Sequence, residues 1–264
     1  MKKNFPTELV YHVFSLLIAF ILVHSVYVTL VRPQAQAFMQ QETTSLLADP
    51  EHVPQRSFFV VIKDYEQETC FILMLWAFSI LAYKGRAVYR QQKLLDQDLL
   101  QLPENLPIGA EDTREIASRL TALPAGMEEW VLPRALLTAI ERFGATRNVQ
   151  DVSTAARSVC ESEGERMESE LSIIRYIAWA IPSVGFIGTV RGIGDALGQA
   201  HRAVEGDITG VTASLGVAFN STFIALVISI VLMFFVHQVQ LMQERLVLDS
   251  ERYVDSWLVR RLKS

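Results

Sequence analysis

Ile181-Pro-Ser-Val-Gly-Phe-Ile-Gly-Thr-Val-Arg-Gly-Ile-Gly194 is the stretch on which the fold turns, because it is apolar, carries one charge and is dense in glycine. Five of the chain's 13 glycines fall between Gly185 and Gly198. Gly185, Gly188 and Gly192 stack along one helical face, and small residues on such a face let membrane helices approach closely. A nucleotide-binding loop is the other way to read clustered glycines. Here the spacing from Gly192 to Gly198 is GxGxxxG and no strand precedes it, so that reading is set aside.

Working outward, the rest of the chain has the same character. Of its 264 residues 50% are hydrophobic and 20% charged, with a mean hydropathy of +0.24. The apolar residues are clumped. Leu9–Val31 and Val217–Val236 contain no Asp, Glu, Lys or Arg, and about 20 apolar residues cross a bilayer core of ~30 Å. A purely soluble enzyme, a disordered chain and a disulfide-stapled secreted domain are excluded. Four spans are expected. The first, Leu9–Val31, is closed by Arg32-Pro33; Ala35-Gln36-Ala37 resembles a cleavage site, but an apolar run of 23 residues exceeds the ~7–15 of a signal peptide. The second is Thr69–Tyr83 extended to about Tyr89, with Lys84 and Arg86 reaching the headgroups. The third begins near Ile173 and the fourth is Ala213–Val236.

Basic residues set the orientation. Lys2 and Lys3 precede the first span, Lys84, Arg86, Arg90 and Lys93 follow the second, and five basic residues follow His237. Arg32–Glu68 holds three basic residues against six acidic ones. Both termini and the central segment are therefore expected in the cytoplasm. The expected organisation is an N-terminal tail and first span (1–32), a periplasmic loop (33–68), the second span (69–89), a cytoplasmic helical domain (90–172), the third span (173–202), a short periplasmic loop (203–212), the fourth span (213–237) and a cytoplasmic C-terminal helix (238–264). The fold class is an all-α polytopic membrane protein with four transmembrane helices and a helical cytoplasmic domain. In the central segment Asp112 with Glu115 resembles a capping box, and Pro133 suits a first helical position with Gly144 as the stop. Val152, Ala156, Val159, Met167, Leu171 and Ile174 recur at helical spacing, which predicts one long helix running straight into the third span. The tail residues Met242, Leu246, Tyr253 and Trp257 pack against it.

Chemistry-bearing clusters are scarce. Cys70 and Cys160 have no metal or redox spacing, no His/Cys/Asp/Glu group has catalytic spacing, and a net charge of −5 disfavours nucleic acid. No enzyme, cofactor or metal is expected. His12 and His24 read as packing or interfacial residues before proton relays, and Trp130, Trp179 and Trp257 as packing or interface anchors. Arg191 and Asp195, at i and i+4, read as a local pair or as charges at an outer mouth. In the fourth span Ala218, Thr222, Ala225 and Ser229 share a face, leaving Phe223, Leu226, Val227 and Ile230 for lipid. Such a stripe means tight packing with hydroxyls bonded along their own helix, or a hydrated ion path.

Two motifs extend this. Pro182-Ser-Val-Gly185-Phe-Ile-Gly188-Thr189-Val190-Arg-Gly192 resembles the third-helix signature P-x-x-G-x-x-G-T-V-x-G of the MotA/TolQ/ExbB proton-channel family. Ala218-Phe-Asn-Ser-Thr222-Phe-Ile-Ala225-Leu226 is similar to its fourth-helix pattern A-L-x-x-T-x-x-G-L. The match covers about residues 175–235, and the four-helix layout resembles the MotA branch. The resemblance implies a pore-forming stator subunit of the bacterial inner membrane, five copies of which surround a dimer of a single-helix MotB/TolR/ExbD-like partner. An intramembrane Asp of that partner is protonated and released as ions pass, H+ being the implied ion and Na+ the alternative. Thr189 and Thr222 match the threonines facing that Asp, with Asn220 and Ser221 beside them on the pathway. Pro182 matches the family proline, and Gly185, Gly188, Gly192, Ala218 and Ala225 the packing positions. Ala225 stands where Gly is frequent, Val231 where TolQ and ExbB have Pro, Val217 where they have an acidic residue, and Arg191 where a Trp or apolar residue is usual. A non-conducting scaffold of the same fold is the rival. A secondary transporter is disfavoured because the first two spans do not resemble the last two.

Overall fold

The computed structural model describes residues 7–48, 57–100, 108–109 and 111–263. These are helical almost throughout: α1 (Thr7–Val26), α2 (Arg32–Ala48), α3 (Phe58–Ile62), α4 (Tyr65–Leu95), α5 (Thr113–Thr121), α6 (Val131–Thr146), α7 (Val149–Glu170), α8 (Ser172–Gly198), α9 (Ala200–Val204) and α10 (Thr209–Trp257). Among the described residues the only extended pairing is an isolated bridge between Ile108 and Leu262. Four helical stretches are long and apolar enough to cross a membrane, Leu9–Ser45, Tyr65–Leu95, Val149–Gly198 and Thr209–Arg261. The protein is an all-α polytopic membrane protein. Lys2 and Lys3 lie outside the described residues.

The chain divides into two units, residues 1–81 with 173–236, and residues 82–172 with 237–264. In the first, Arg32-Pro33 does not close the opening helix as the sequence suggests. A π-helical turn, Tyr27–Val31, joins α1 to α2, with the Arg32 N–H donating to the Tyr27 carbonyl. The turn widens the ladder just ahead of the ring that removes a donor, so the helix passes Pro33. The first span is fastened to α4 by polar contacts: Tyr11 OH donates to the Ser79 carbonyl at 3.0 Å and Trp76 Nε1 to the His12 carbonyl at 3.0 Å. Further along, the buried Glu68 accepts from His24 Nδ1 at 2.6 Å and from Arg32. A buried carboxylate is tolerable because it is paired.

The second unit has a conventional core. Leu132, Leu136, Ile140 and Phe143 of α6 pack with Val152, Ala156 and Met167 of α7 and with Leu246, Tyr253 and Val254 of α10. Two local expectations are corrected. Asp112 does not cap α5 through its side chain; its carboxylate accepts from the Gly109 N–H at 2.8 Å, and Glu115 pairs with Arg119 one turn on. Pro133 is the third residue of α6, which runs past Gly144 and stops where Arg147 takes a left-handed conformation at φ 51°. Gly144 instead allows close approach, since a Cβ there would lie 3.3 Å from Thr113 Oγ1. The long helix expected from Asp151 into the third span is present as the helical stretch Val149–Gly198, in which Leu171 alone departs from α geometry while staying right-handed at φ −81° and ψ −9°. Asn148 caps α7 by accepting from the Gln150 N–H at 2.9 Å.

Candidate ion-pathway site

The crossing of α8 and α10 is built on absent side chains. A Cβ at Gly185 would stand 2.6 Å from Ala225 Cβ, one at Gly188 would stand 2.6 Å from Ser221 Cβ, and one at Gly192 would stand 2.7 Å from the Ala218 nitrogen and the Ser214 carbonyl. Ala218, Ala225 and Ser221 are fully buried opposite them. These residues sit at spacings of three and four, so the contact is a seam one face wide. Gly194 and Gly198 have nothing within 4 Å of the position a Cβ would take, and they lie off that seam.

Pro182 lies inside α8 and has no N–H to give the Ala178 carbonyl four residues back. Ser229 of α10 supplies the missing donor, its Oγ lying 2.9 Å from that oxygen. Proline and serine thus form one functional pair across two helices. Ser229→Ala should leave a buried carbonyl unmet and lower stability by ~1–3 kcal/mol. In the Pro182→Ala background the same change should cost far less, because the helix's own N–H returns. Thermal unfolding of the four proteins in detergent gives the cycle, and simple additivity would contradict the pairing.

About two turns further along, Thr189 and Thr222 face each other and their hydroxyls are in hydrogen-bond contact. Thr222 Oγ1 also reaches the Gly185 carbonyl at 3.2 Å, and Thr189 Oγ1 the Ala218 carbonyl at 3.0 Å. Each hydroxyl has one proton and several acceptors within reach, so the pair can redistribute its donors without moving the main chain. Both threonines are half-buried, which leaves them an open side. Ser221 is turned inward, bonding the Val217 and Ala218 carbonyls of its own helix at 3.0 Å. Asn220 is half-buried, and its side chain makes no hydrogen bond with the described residues. Around this polar spot the exposed surface is apolar: Phe186, Ile187 and Val190 on α8, and Phe219, Phe223 and Ile230 on α10.

Arg191 and Asp195 are not brought together as a pair. The Arg191 guanidinium instead grips Glu66 of α4 in a two-pronged contact, Nε to Oε1 and Nη2 to Oε2, both at 2.8 Å. A planar fork matched to two carboxylate oxygens outcompetes a single contact along the helix. Asp195 is exposed, and its main-chain carbonyl accepts from Gln199 Nε2 at 3.1 Å. Glu66 is the residue that sequence reasoning overlooked. A Cβ on Gly188 would lie 3.1 Å from its Cγ, so it stands directly beside the seam, a turn from the threonines. The signal available was three polar residues, Glu66, Gln67 and Glu68, at the head of an apolar helix. Gln67 and Glu68 are buried. No group of His, Cys, Asp or Glu among the described residues could hold a metal ion.

The sequence model described as the MotA/TolQ/ExbB proton channel family matches residues 127–252, which include α8, the seam and most of α10. Among curated proteins and solved structures, nothing matches the chain.

Proposed function

We propose, from the premise that residues 127–252 belong to the MotA/TolQ/ExbB proton channel family, that this chain is the pore-forming subunit of an ion-driven motor. Five copies form a ring in the bacterial inner membrane, with both termini and the second unit in the cytoplasm. The ring encloses a dimer of a single-helix partner of the MotB/TolR/ExbD kind, whose intramembrane Asp takes up and releases the ion, H+ by this reading, with Na+ the alternative. The chain itself is not an enzyme and needs no cofactor.

The observation that carries this reading is the Thr189–Thr222 pair, two adjustable hydroxyls at one level in an otherwise apolar helix pair. A charged carboxylate facing that spot has donors to replace water, which lowers the cost of the ionised state in the membrane. A neutral one moves on freely. Cycling between the two states while ions cross is worth ~2.3 kcal/mol per charge for every 100 mV, enough to bias rotation of the ring about the partner. The exposed apolar residues flanking the pair are surface that neighbouring copies, the partner helix and lipid would cover.

The scaffold reading keeps one observation in its favour, that both threonine hydroxyls already have main-chain acceptors within the single chain. Native mass spectrometry of the detergent-solubilised chain should give a pentamer; monomer or dimer as the sole species overturns the ring. Proton flux in vesicles holding the chain with a single-helix Asp-bearing protein encoded beside it separates motor from scaffold.

A further inference from the structure

We propose that a second copy of this chain lays the basic stripe of its α4, Arg86, Arg90 and Lys93, into an acidic groove between α7 and α10 of its neighbour. The proposal deepens the ring reading and rests on it for one premise, that the copies are related by rotation about the membrane normal.

The groove, about 450 Å3, lies wholly within the second unit and is lined by Glu161, Glu165 and Glu168 of α7 and by Gln240, Gln243 and Glu244 of α10. No Lys or Arg is among its lining residues. The three α7 carboxylates are exposed and separated by four and three residues, so they form one row. Independently, Gln243 is only 5% exposed, lines the groove, and its Oε1 has no hydrogen-bond partner among the described residues. An acceptor buried without a donor is costly, so the occupant must bring N–H groups as well as positive charge. A guanidinium does both.

The chain carries a matching row of cations. Arg86, Arg90 and Lys93 are exposed on α4 and are also separated by four and three residues. Among the described residues Arg86 and Arg90 make no ion pair, and Lys93 lies over the Tyr89 ring at 4.8 Å. Within one chain α4 meets α10 by another face: Gly85 sits beside Val239, and Gln92 Nε2 donates to the Met242 carbonyl. The cationic row is thus left facing outward.

The levels agree as well. Lys84 Nζ bonds Glu170 Oε2 at 2.7 Å, which puts α4 and α7 in register at that point. Counting away from this bond along both helices, Arg86 and Glu168 are each two residues on, Arg90 and Glu165 are six and five, and Lys93 and Glu161 are each nine. Rotation about the membrane normal preserves depth, so the rows of adjacent copies lie at the same level. A contact between two different faces of one chain is the kind that closes a ring when the rotation permits.

Charge reversal tests this on the full-length protein in detergent. Glu161→Lys with Glu165→Lys should lower the pentamer fraction about tenfold or more at low ionic strength, and Arg86→Glu with Arg90→Glu should do the same, each less at high salt. Uniting the four changes in one chain should restore assembly, and an Arg90→Cys/Glu165→Cys chain should cross-link into multimers on mild oxidation. Circular dichroism of each variant checks folding. A quadruple variant no better than either double, or a double-cysteine chain that stays monomeric while wild type is pentameric, overturns the groove assignment and leaves the ring intact. Reversals that release the partner protein but keep the pentamer also overturn it, by giving the groove to that partner. A wild-type chain that never oligomerises defeats the ring reading itself.

Discussion

Thr222→Val should abolish ion-driven work while the assembled ring survives. Valine matches threonine in volume, so the seam with Gly185 and Ala225 is kept, but the donor shared between Thr189 and the Gly185 carbonyl is lost. One unmet hydrogen bond on a carboxylate in a low-dielectric site is worth ~1–3 kcal/mol, a fall of roughly 5- to 150-fold in the ionised population and hence in flux. Thr189→Val should act in the same direction and more weakly, since it leaves Thr222 bonded to α8. Thr222→Ser should be tolerated because the hydroxyl stays. Flux into dye-loaded vesicles and the mass of the detergent complex measure the two halves of the expectation separately. If both valine variants carry protons normally, the threonines only pack and the scaffold reading prevails.

The largest structural effect is expected from the smallest change, Gly192→Ala. The added methyl would stand 2.7 Å from a main-chain nitrogen and a main-chain oxygen of α10, and neither can swing aside as a side chain would. The helices must separate, at ~1–3 kcal/mol or more for an overpacked contact. Two residues away, Gly194→Ala meets nothing within 4 Å. It should be neutral or gain up to ~1 kcal/mol from the better helix former. Thermal unfolding of the two variants side by side checks the contrast, and equal midpoints would show that the seam is looser than its geometry implies.

That contrast also marks how far the amino-acid sequence could be read. Gly185, Gly188 and Gly192 were legible because small residues at one helical spacing have few other uses in an apolar stretch. So was the outward face of Phe223, Leu226, Val227 and Ile230, all of them exposed. What escaped reading depends on a partner distant in the chain. Arg191 has Asp195 at ideal helical spacing, yet its fork closes on Glu66, 125 residues away. Ser229 looked like one more member of a small-residue stripe. Its meaning, a donor for the carbonyl that Pro182 deprives, exists only once α8 and α10 are side by side. Local punctuation misled for a related reason: Pro33 and Gly144 are strong stop signals alone, but a π turn absorbs the first and close packing on Thr113 employs the second.

The π turn at Tyr27–Val31 has a consequence for insertions and deletions. Ser15, Ala19, Tyr27, Val31 and Ala35 are all buried, at intervals of four or eight residues. In an unbroken α-helix a four-residue repeat slips ~40° around the axis at each step. The wider turn takes back part of that slip, in effect one surplus residue stored in the coil. A chain shortened by one residue between 27 and 31 should regain uniform α geometry with α2 keeping its phase, whereas the same deletion inside the regular α1 would turn everything after it by ~100°. In that second case Ala35 would swing away from its neighbours and a bulkier side chain would arrive in its place. A single-codon deletion within Tyr27–Val31 should therefore be accepted far more readily than one in the middle of α1.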